Sequence, residues 1–137
     1  MNVGSGSGYL SCLVSYMLGP SGLCHGIDIN EEVVQHSRQA TTQWISKQKT
    51  DPTSSLLRIG DSIHYISGNC FDIDILYTVN CCKYDRIYVG AACPSSRQEF
   101  FYSMLADGGI LVLPVTELSQ LVMVKRHAGA VYRLYID

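Results

Sequence analysis

Asn2-Val3-Gly4-Ser5-Gly6-Ser7-Gly8-Tyr9-Leu10 is the stretch whose reading decides the fold. Strand-type residues run into a G-x-G-x-G loop, and the loop runs into an apolar helix pattern. Glycines at such a junction leave bare backbone that a ligand can approach, with the N–H groups of the helix start close by. Gly-Ser-Gly-Ser-Gly is also the composition of a flexible linker. The residues downstream decide against a linker. Leu10, Leu13, Val14, Met17 and Leu18 recur at i, i+3, i+4, i+7 and i+8, which is one face of a helix. Gly19-Pro20 stops that helix.

Leu23-Cys24-His25-Gly26-Ile27-Asp28-Ile29 then reads as a short buried strand that carries an acid near its end, 20 residues after Gly8. A strand-terminal acid at about this distance from a glycine loop is a nucleotide-binding pattern in which the carboxylate accepts ribose hydroxyls. The G-x-G-x-G spacing, in place of G-x-G-x-x-G, favours S-adenosylmethionine over a dinucleotide.

Composition bounds the rest. At 137 residues the chain reads as a single domain, residues 1–137, with enough length for a core. Hydrophobic residues make up 47% and charged residues 16%, so the chain is globular and rather apolar. The net charge is −2 and the ten Lys and Arg are dispersed, which argues against a nucleic-acid partner. No apolar run approaches the ~20 residues that span a bilayer, and no signal peptide opens the sequence, so the expectation is a cytoplasmic protein without a membrane. Cys12, Cys24, Cys70, Cys81, Cys82 and Cys93 form no C-x-x-C pair. They read as reduced thiols. A zinc site on Cys81, Cys82 and a histidine is the sharper alternative, but it lacks ligand spacing, and no metal is expected.

Further along, Asn30 caps a second helix with Glu31 and Glu32 in its first turn. Val33, Val34, Ala40, Thr41, Trp44 and Ile45 form its expected buried face, with His36 outside it. Residues 51–55 read as a loop. Ile63 to Ser67 is a third strand with His64 on its surface, ending at Gly68-Asn69. Residues 70–83 read as irregular with one short helix. Tyr84 to Ala92 is a fourth strand with small residues at its end, which leaves room for a ligand. Pro94 and Ser95 open a third helix, where Ser95 and Gln98 fit a capping box. Phe100, Phe101, Met104 and Leu105 are its core face, and Asp107-Gly108-Gly109 ends it. Ile110 to Val115 is an apolar fifth strand. Leu121 to Ile136, turning at His127 to Ala130, reads as an antiparallel hairpin. The sum is an α/β protein with a mostly parallel sheet and a C-terminal antiparallel hairpin.

Taken together, these motifs resemble the protein-L-isoaspartate O-methyltransferase family. The resemblance rests on Asn2 to Leu10, Gly26-Ile27-Asp28, Tyr84-Asp85-Arg86-Ile87 with Gly90-Ala91-Ala92-Cys93-Pro94, and Gly108-Gly109-Ile110-Leu111-Val112-Leu113-Pro114. It covers residue 2 to about 137. It is nearest to the branch of methyltransferase domain-containing proteins, because Asn2 stands where the enzymes carry an acid and Gly68-Asn69-Cys70 where they carry Gly-Asp-Gly. The resemblance implies a class I S-adenosylmethionine-dependent methyltransferase fold, Rossmann-like, with the first strand incomplete. It implies S-adenosyl-L-methionine as cofactor. Gly4, Ser5, Gly6 and Ser7 would line its methionine and ribose, Asp28 would take the ribose hydroxyls, and Asn69 with Cys70 would meet the adenine. Gly90, Ala91 and Ala92 would lie on the substrate side. The family's substrate-binding serine lies in a segment upstream of the glycine loop and has no counterpart here, so the chain reads as N-terminally truncated and no catalytic residue is assigned.

The implied reaction is methyl transfer from a sulfonium to the carboxylate of an isoaspartyl residue in a damaged protein or peptide. With a pKa near ~4 that carboxylate is already ionised, so no general base is required. Alignment of oxygen, methyl and sulfur would supply the catalysis, a positioning effect potentially worth ~7–11 kcal/mol. Two readings stand side by side. One is a protein carboxyl methyltransferase engaged in repair. The other is a non-catalytic, cofactor-binding recognition module of the ubiquitin-ligase adaptor type, with ubiquitin-ligase partners only if a longer isoform exists.

Overall fold

A computed structural model describes residues 1–19, 21–49, 62–72 and 83–136. The chain divides into two compact units, Asn2–Cys70 and Phe71–Asp137 together with Met1.

The first unit holds β1 (Asn2–Val3), α1 (Tyr9–Leu18), β2 (Cys24–Asp28), α2 (Glu31–Lys49) and β3 (Ile63–Ser67). All three strands are parallel, with β2 in the middle. Asn2 and Val3 pair with Gly26 and Ile27, and Cys24 through Asp28 pair in step with Ile63 through Ser67. Asn30 caps α2 as expected: its side-chain oxygen accepts the N–H groups of Glu32 at 3.0 Å and Val33 at 3.3 Å. Val34, Ser37 and Thr41 are the buried positions of α2, flanked by half-buried Val33, Ala40, Trp44 and Ile45. His36 and His64 are exposed.

Helix α1 departs from its periodicity. Leu13, Met17 and Leu18 are exposed, and the buried residues are Ser11 and Ser15. The reason lies in β2. Gly26 has no side chain, and a Cβ there would sit 3.1 Å from Ser11 Oγ. The helix backbone comes so near the sheet that only small residues fit between them. Both hydroxyls are satisfied, since Asn2 Nδ2 donates to Ser11 Oγ at 3.0 Å and Ser15 Oγ pairs with Ser62 Oγ at 2.7 Å. A hydrogen-bonded hydroxyl can be buried without the desolvation cost of an orphan.

The second unit holds β4 (Tyr84–Val89), a 3₁₀ turn (Ser95–Arg97), α3 (Gln98–Met104), β5 (Leu105–Val115), a 3₁₀ turn (Thr116–Leu118), β6 (Gln120–His127) and β7 (Ala130–Ile136). β4 and β5 are parallel, and β5, β6 and β7 continue as an antiparallel meander. Met1 adds to the β4 edge: its amino group donates to the Arg86 carbonyl at 2.7 Å and its carbonyl accepts Tyr88 N–H at 2.9 Å. The register of β5 slips between Leu105 and Ile110. Asp107-Gly108-Gly109 therefore forms an irregular start to β5, and the helix before it ends earlier, at Met104. The core is Phe101, Leu105, Leu111, Leu113, Val115, Val122 and Val124, all essentially sealed from solvent. Each such side chain contributes about 1.5–3 kcal/mol on burial. Ala128 and Gly129 turn the hairpin with φ of 51° and 78°, the left-handed pair that suits a two-residue connection.

The capping box expected at Ser95 and Gln98 is not formed. Glu117 takes its place, accepting Ser95 N–H at 3.0 and 3.1 Å and the Ser95 hydroxyl at 2.8 Å. The expected loop at 51–55 and most of the irregular segment at 70–83 lie outside the described residues.

Candidate functional site

The candidate site is built where the strands of the first unit end. Gly4, Gly6 and Gly8 have φ of 72°, 55° and 82°. L-residues with side chains avoid this left-handed region, so the alternate glycines allow the chain to double back between β1 and α1. The loop is tied to β2 by its own backbone: Gly4 and Ser5 N–H both donate to the Ile27 carbonyl, at 2.8 and 3.1 Å.

Asp28, the last residue of β2, closes the loop. Gly6 N–H donates to Asp28 Oδ2 at 3.0 Å, and Asn30 N–H donates to Asp28 Oδ1 at 3.1 Å. An ionised carboxylate has about four acceptor positions, so each oxygen retains capacity for a hydroxyl donor. Gly68 N–H donates to the Asp28 carbonyl at 2.9 Å, which sets the turn after β3 beside the end of β2. Asn69, exposed, and Cys70, half-buried, follow in that turn. Six of the seven cofactor residues expected from the sequence are thus gathered around Asp28 at the carboxyl ends of β1, β2 and β3, namely Gly4, Ser5, Gly6, Ser7, Asn69 and Cys70.

Two features of the loop fit a bound small molecule. Ser5 is buried and its hydroxyl has no hydrogen-bond partner. A buried orphan hydroxyl costs ~1–3 kcal/mol, which a ligand that bonds to it recovers. At Gly6 a Cβ would meet nothing within 4 Å, so the space outside the loop is open.

Residues not singled out by sequence hold the loop from behind. The Ser37 hydroxyl donates to the Gly6 carbonyl at 2.6 Å and the Tyr65 hydroxyl to the Gly8 carbonyl at 3.1 Å. Tyr65 also lies 2.9 Å from Thr41 Oγ1, which in turn lies 3.1 Å from Cys12 Sγ. Burial raises the Tyr65 phenol well above its ordinary value, against a smaller lowering by the Thr41 hydrogen bond, so it stays a donor at neutral pH. One signal was available: Ser37 stands three residues after Val34 and four before Thr41, on the buried face of α2.

On the outer side of the same strands His25 is buried against exposed His64, with ring centroids 5.6 Å apart. Burial first, and His64 second, lower the His25 pKa to about 4.

In the second unit Gly90, Ala91 and Ala92 form an exposed loop after β4. Its far end is fixed by Cys93, which is buried. Cys93 N–H donates to the Pro114 carbonyl at 3.3 Å and the Cys93 carbonyl accepts Thr116 N–H at 3.2 Å. Cys12, Cys24 and Cys93 are free thiols. Cys81 and Cys82, and with them the zinc alternative, lie outside the described residues. Among the described residues no three His, Cys, Asp or Glu could share a metal ion, and no helix is long and apolar enough to cross a membrane.

The family described as Protein-L-isoaspartate(D-aspartate) O-methyltransferase matches residues 1–134. A protein-L-isoaspartate O-methyltransferase of Triticum aestivum is 33% identical over 121 residues, 88% of this chain and 46% of that protein. One from Methanococcus maripaludis is 29% identical over 133 residues, 96% of this chain and 54% of that protein. The chain thus spans about half the length of these relatives. Among solved structures, a protein-L-isoaspartate O-methyltransferase of Plasmodium falciparum in complex with S-adenosyl-L-homocysteine superposes with a TM-score of 0.72 at 23% identity, over 99% of this chain and 61% of that one. The fold is that of the class I S-adenosylmethionine-dependent methyltransferases, mostly parallel with a C-terminal antiparallel hairpin.

Proposed function

The chain belongs to the protein-L-isoaspartate(D-aspartate) O-methyltransferase family, and from that premise we propose that its glycine loop and Asp28 hold S-adenosyl-L-methionine for methyl transfer to isoaspartyl carboxylates in damaged proteins. The observation that carries the reading is the Asp28 carboxylate. It is fixed by two backbone N–H groups, one of them from the loop itself, and keeps acceptor capacity for ribose hydroxyls. The orphan hydroxyl of buried Ser5 and the open space at Gly6 support the same site.

In this reading Gly4, Ser5, Gly6 and Ser7 line the methionine and ribose. Asn69 presents its amide oxygen to the adenine amino group, and Cys70 packs beside it. Gly90, Ala91 and Ala92 give a substrate backbone room. The cofactor supplies an activated methyl on a sulfonium. The chain's own residues bind and orient, and no proton needs to be moved, because the accepting carboxylate is ionised at neutral pH. Residues 1–137 act as one methyltransferase-like domain, which the family match across both units supports. The partner is an isoaspartyl-containing protein or peptide, and the protein is cytoplasmic.

One observation favours the second reading, a cofactor-binding recognition module of the ubiquitin-ligase adaptor type. Asn2 and Asn69 are amides where the resemblance leads one to expect carboxylates. Asn2 Oδ1 is moreover buried without a partner, so that site is not tuned as an acid site would be. Incubating the chain with radiolabelled S-adenosylmethionine and an isoaspartyl peptide separates the two. Base-labile methyl ester on the peptide supports the enzyme. Cofactor binding without any ester supports the module.

A further inference from the structure

Two hydroxyls from different elements grip two alternate carbonyls of the glycine loop. Ser37, fully buried on α2, takes the Gly6 carbonyl at 2.6 Å in preference to the Val33 carbonyl of its own helix at 2.9 Å, and Tyr65, buried on β3, takes the Gly8 carbonyl. The fit around Tyr65 is tight. A Cβ on Gly8 would lie 2.5 Å from Tyr65 Oη, and one on Gly26 would lie 2.8 Å from the Tyr65 ring.

Proton counting gives this cluster a direction. The Tyr65 hydroxyl has one proton, and the Gly8 carbonyl can only accept it. Tyr65 must therefore accept from Thr41, 2.9 Å away, and Thr41 must accept from the Cys12 thiol, 3.1 Å away. The chain Cys12 to Thr41 to Tyr65 to Gly8 is a one-way relay of hydrogen bonds that ends on the loop.

Peptide planarity turns this into a statement about the other side of the loop. In a trans peptide the C=O and the next N–H point in opposite directions. Holding the Gly6 carbonyl against α2 aims Ser7 N–H away from α2. Holding the Gly8 carbonyl against β3 aims Tyr9 N–H away from β3. Ser7 and Tyr9 are both exposed, and Tyr9 opens α1, where N–H groups and the helix dipole favour an anion.

We propose that Tyr65 and Ser37 are positioning residues for the cofactor, acting through the loop: their hydroxyls preset the Ser7 and Tyr9 N–H groups to receive its carboxylate. The proposal rests on the cofactor reading above. The Gly8 carbonyl also accepts Cys12 N–H at 2.9 Å, the first bond of α1, so the Tyr65 hydroxyl is its second donor, one that an aromatic ring alone would not supply.

The test titrates the full 137-residue chain with S-adenosylhomocysteine by calorimetry and follows backbone amides by NMR. Tyr65→Phe and Ser37→Ala should each weaken binding about 2- to 12-fold, the range for one net hydrogen bond. Tyr65→Phe should reduce the ligand-induced amide shift at Tyr9 and Ser37→Ala that at Ser7, with the Asn69 response kept in both. If Tyr65→Phe does not fold, the relay is read one step back: Thr41→Val should weaken binding and Thr41→Ser should restore it. Wild-type affinity in both direct variants overturns the proposal. So does a loss of affinity that follows thermal stability with no local change at Ser7 or Tyr9. Absence of binding by the unmodified chain fails the cofactor reading itself, and the proposal falls with it.

Discussion

The N–H of Gly6 donates to Asp28 Oδ2 at 3.0 Å across 22 residues of sequence, and this bond joins the glycine loop to the end of the second strand. The other carboxylate oxygen holds Asn30, where α2 begins. Asp28 thus accepts one backbone donor on each of its two oxygens, and an amide has only one acceptor oxygen. Asp28→Asn would turn an NH₂ toward one of those N–H groups. We expect it to lower stability of the ligand-free chain by about 1–2 kcal/mol, the cost of one unmet backbone donor at a half-exposed site. Urea unfolding with no cofactor present measures this. An unchanged midpoint would show that the lost bond contributes nothing.

Gly6 and Gly8 both have positive φ, but they should fail in different ways. Gly6→Ala meets open space, so its cost is the backbone alone, about 1–2 kcal/mol. Gly8→Ala adds a Cβ 2.5 Å from the Tyr65 hydroxyl, and overpacking brings a further ~1–3 kcal/mol. Thermal unfolding should rank Gly8→Ala clearly below Gly6→Ala. The reverse order would contradict the packing described for Tyr65.

Asn69 lies in the turn that Asp28 helps to place. If its amide oxygen receives the adenine amino group, Asn69→Asp supplies a stronger, charged acceptor and should bind S-adenosylhomocysteine equally or more tightly. Calorimetry decides it. A marked loss of affinity would contradict the acceptor role given to Asn69.

His25 makes stability depend on pH. Burial, and secondarily His64, lower its pKa to about 4 in the folded chain, against about 6.5 when unfolded. Below pH ~6.5 the unfolded state binds a proton that the folded state refuses, so stability is fully present above that pH and declines as pH falls toward 4. From pH 6.5 to 5 the loss should be about 1–2 kcal/mol. Urea unfolding at a series of pH values tests this, and His25→Phe should flatten the profile in that window. A flat profile in the unmodified chain would mean that the folded state accepts the proton freely.

Much of this molecule is legible in the sequence because its signals are local. The glycine loop, the acid of Asp28, the Asn30 cap and the hairpin turn at Ala128-Gly129 each depend on a few neighbouring residues. What is not legible depends on proximity between distant segments. In α1 the apolar repeat marks Leu13, Met17 and Leu18 as core, yet the sheet is met by Ser11 and Ser15, because Gly26 lets the helix come close and Asn2 and Ser62 satisfy the hydroxyls. The capping role of Glu117 toward Ser95 spans 22 residues and has no local mark. In the same way, Ser37 and Tyr65 look like ordinary helix and strand residues until the loop they hold is in place. The cofactor residues could be named from a pattern, whereas the groups that orient them emerge only from the fold.

The central claim is that this chain holds S-adenosylmethionine on the glycine loop through Asp28. Calorimetric titration of the 137-residue chain with S-adenosylhomocysteine, beside NAD and beside Asp28→Ala, tests it most directly. The account predicts saturable binding of S-adenosylhomocysteine, none of NAD, and weakening by about 1–3 kcal/mol in Asp28→Ala, as for loss of a charged hydrogen-bond partner. Tight NAD binding, or equal affinity in the chain and in Asp28→Ala, would contradict it.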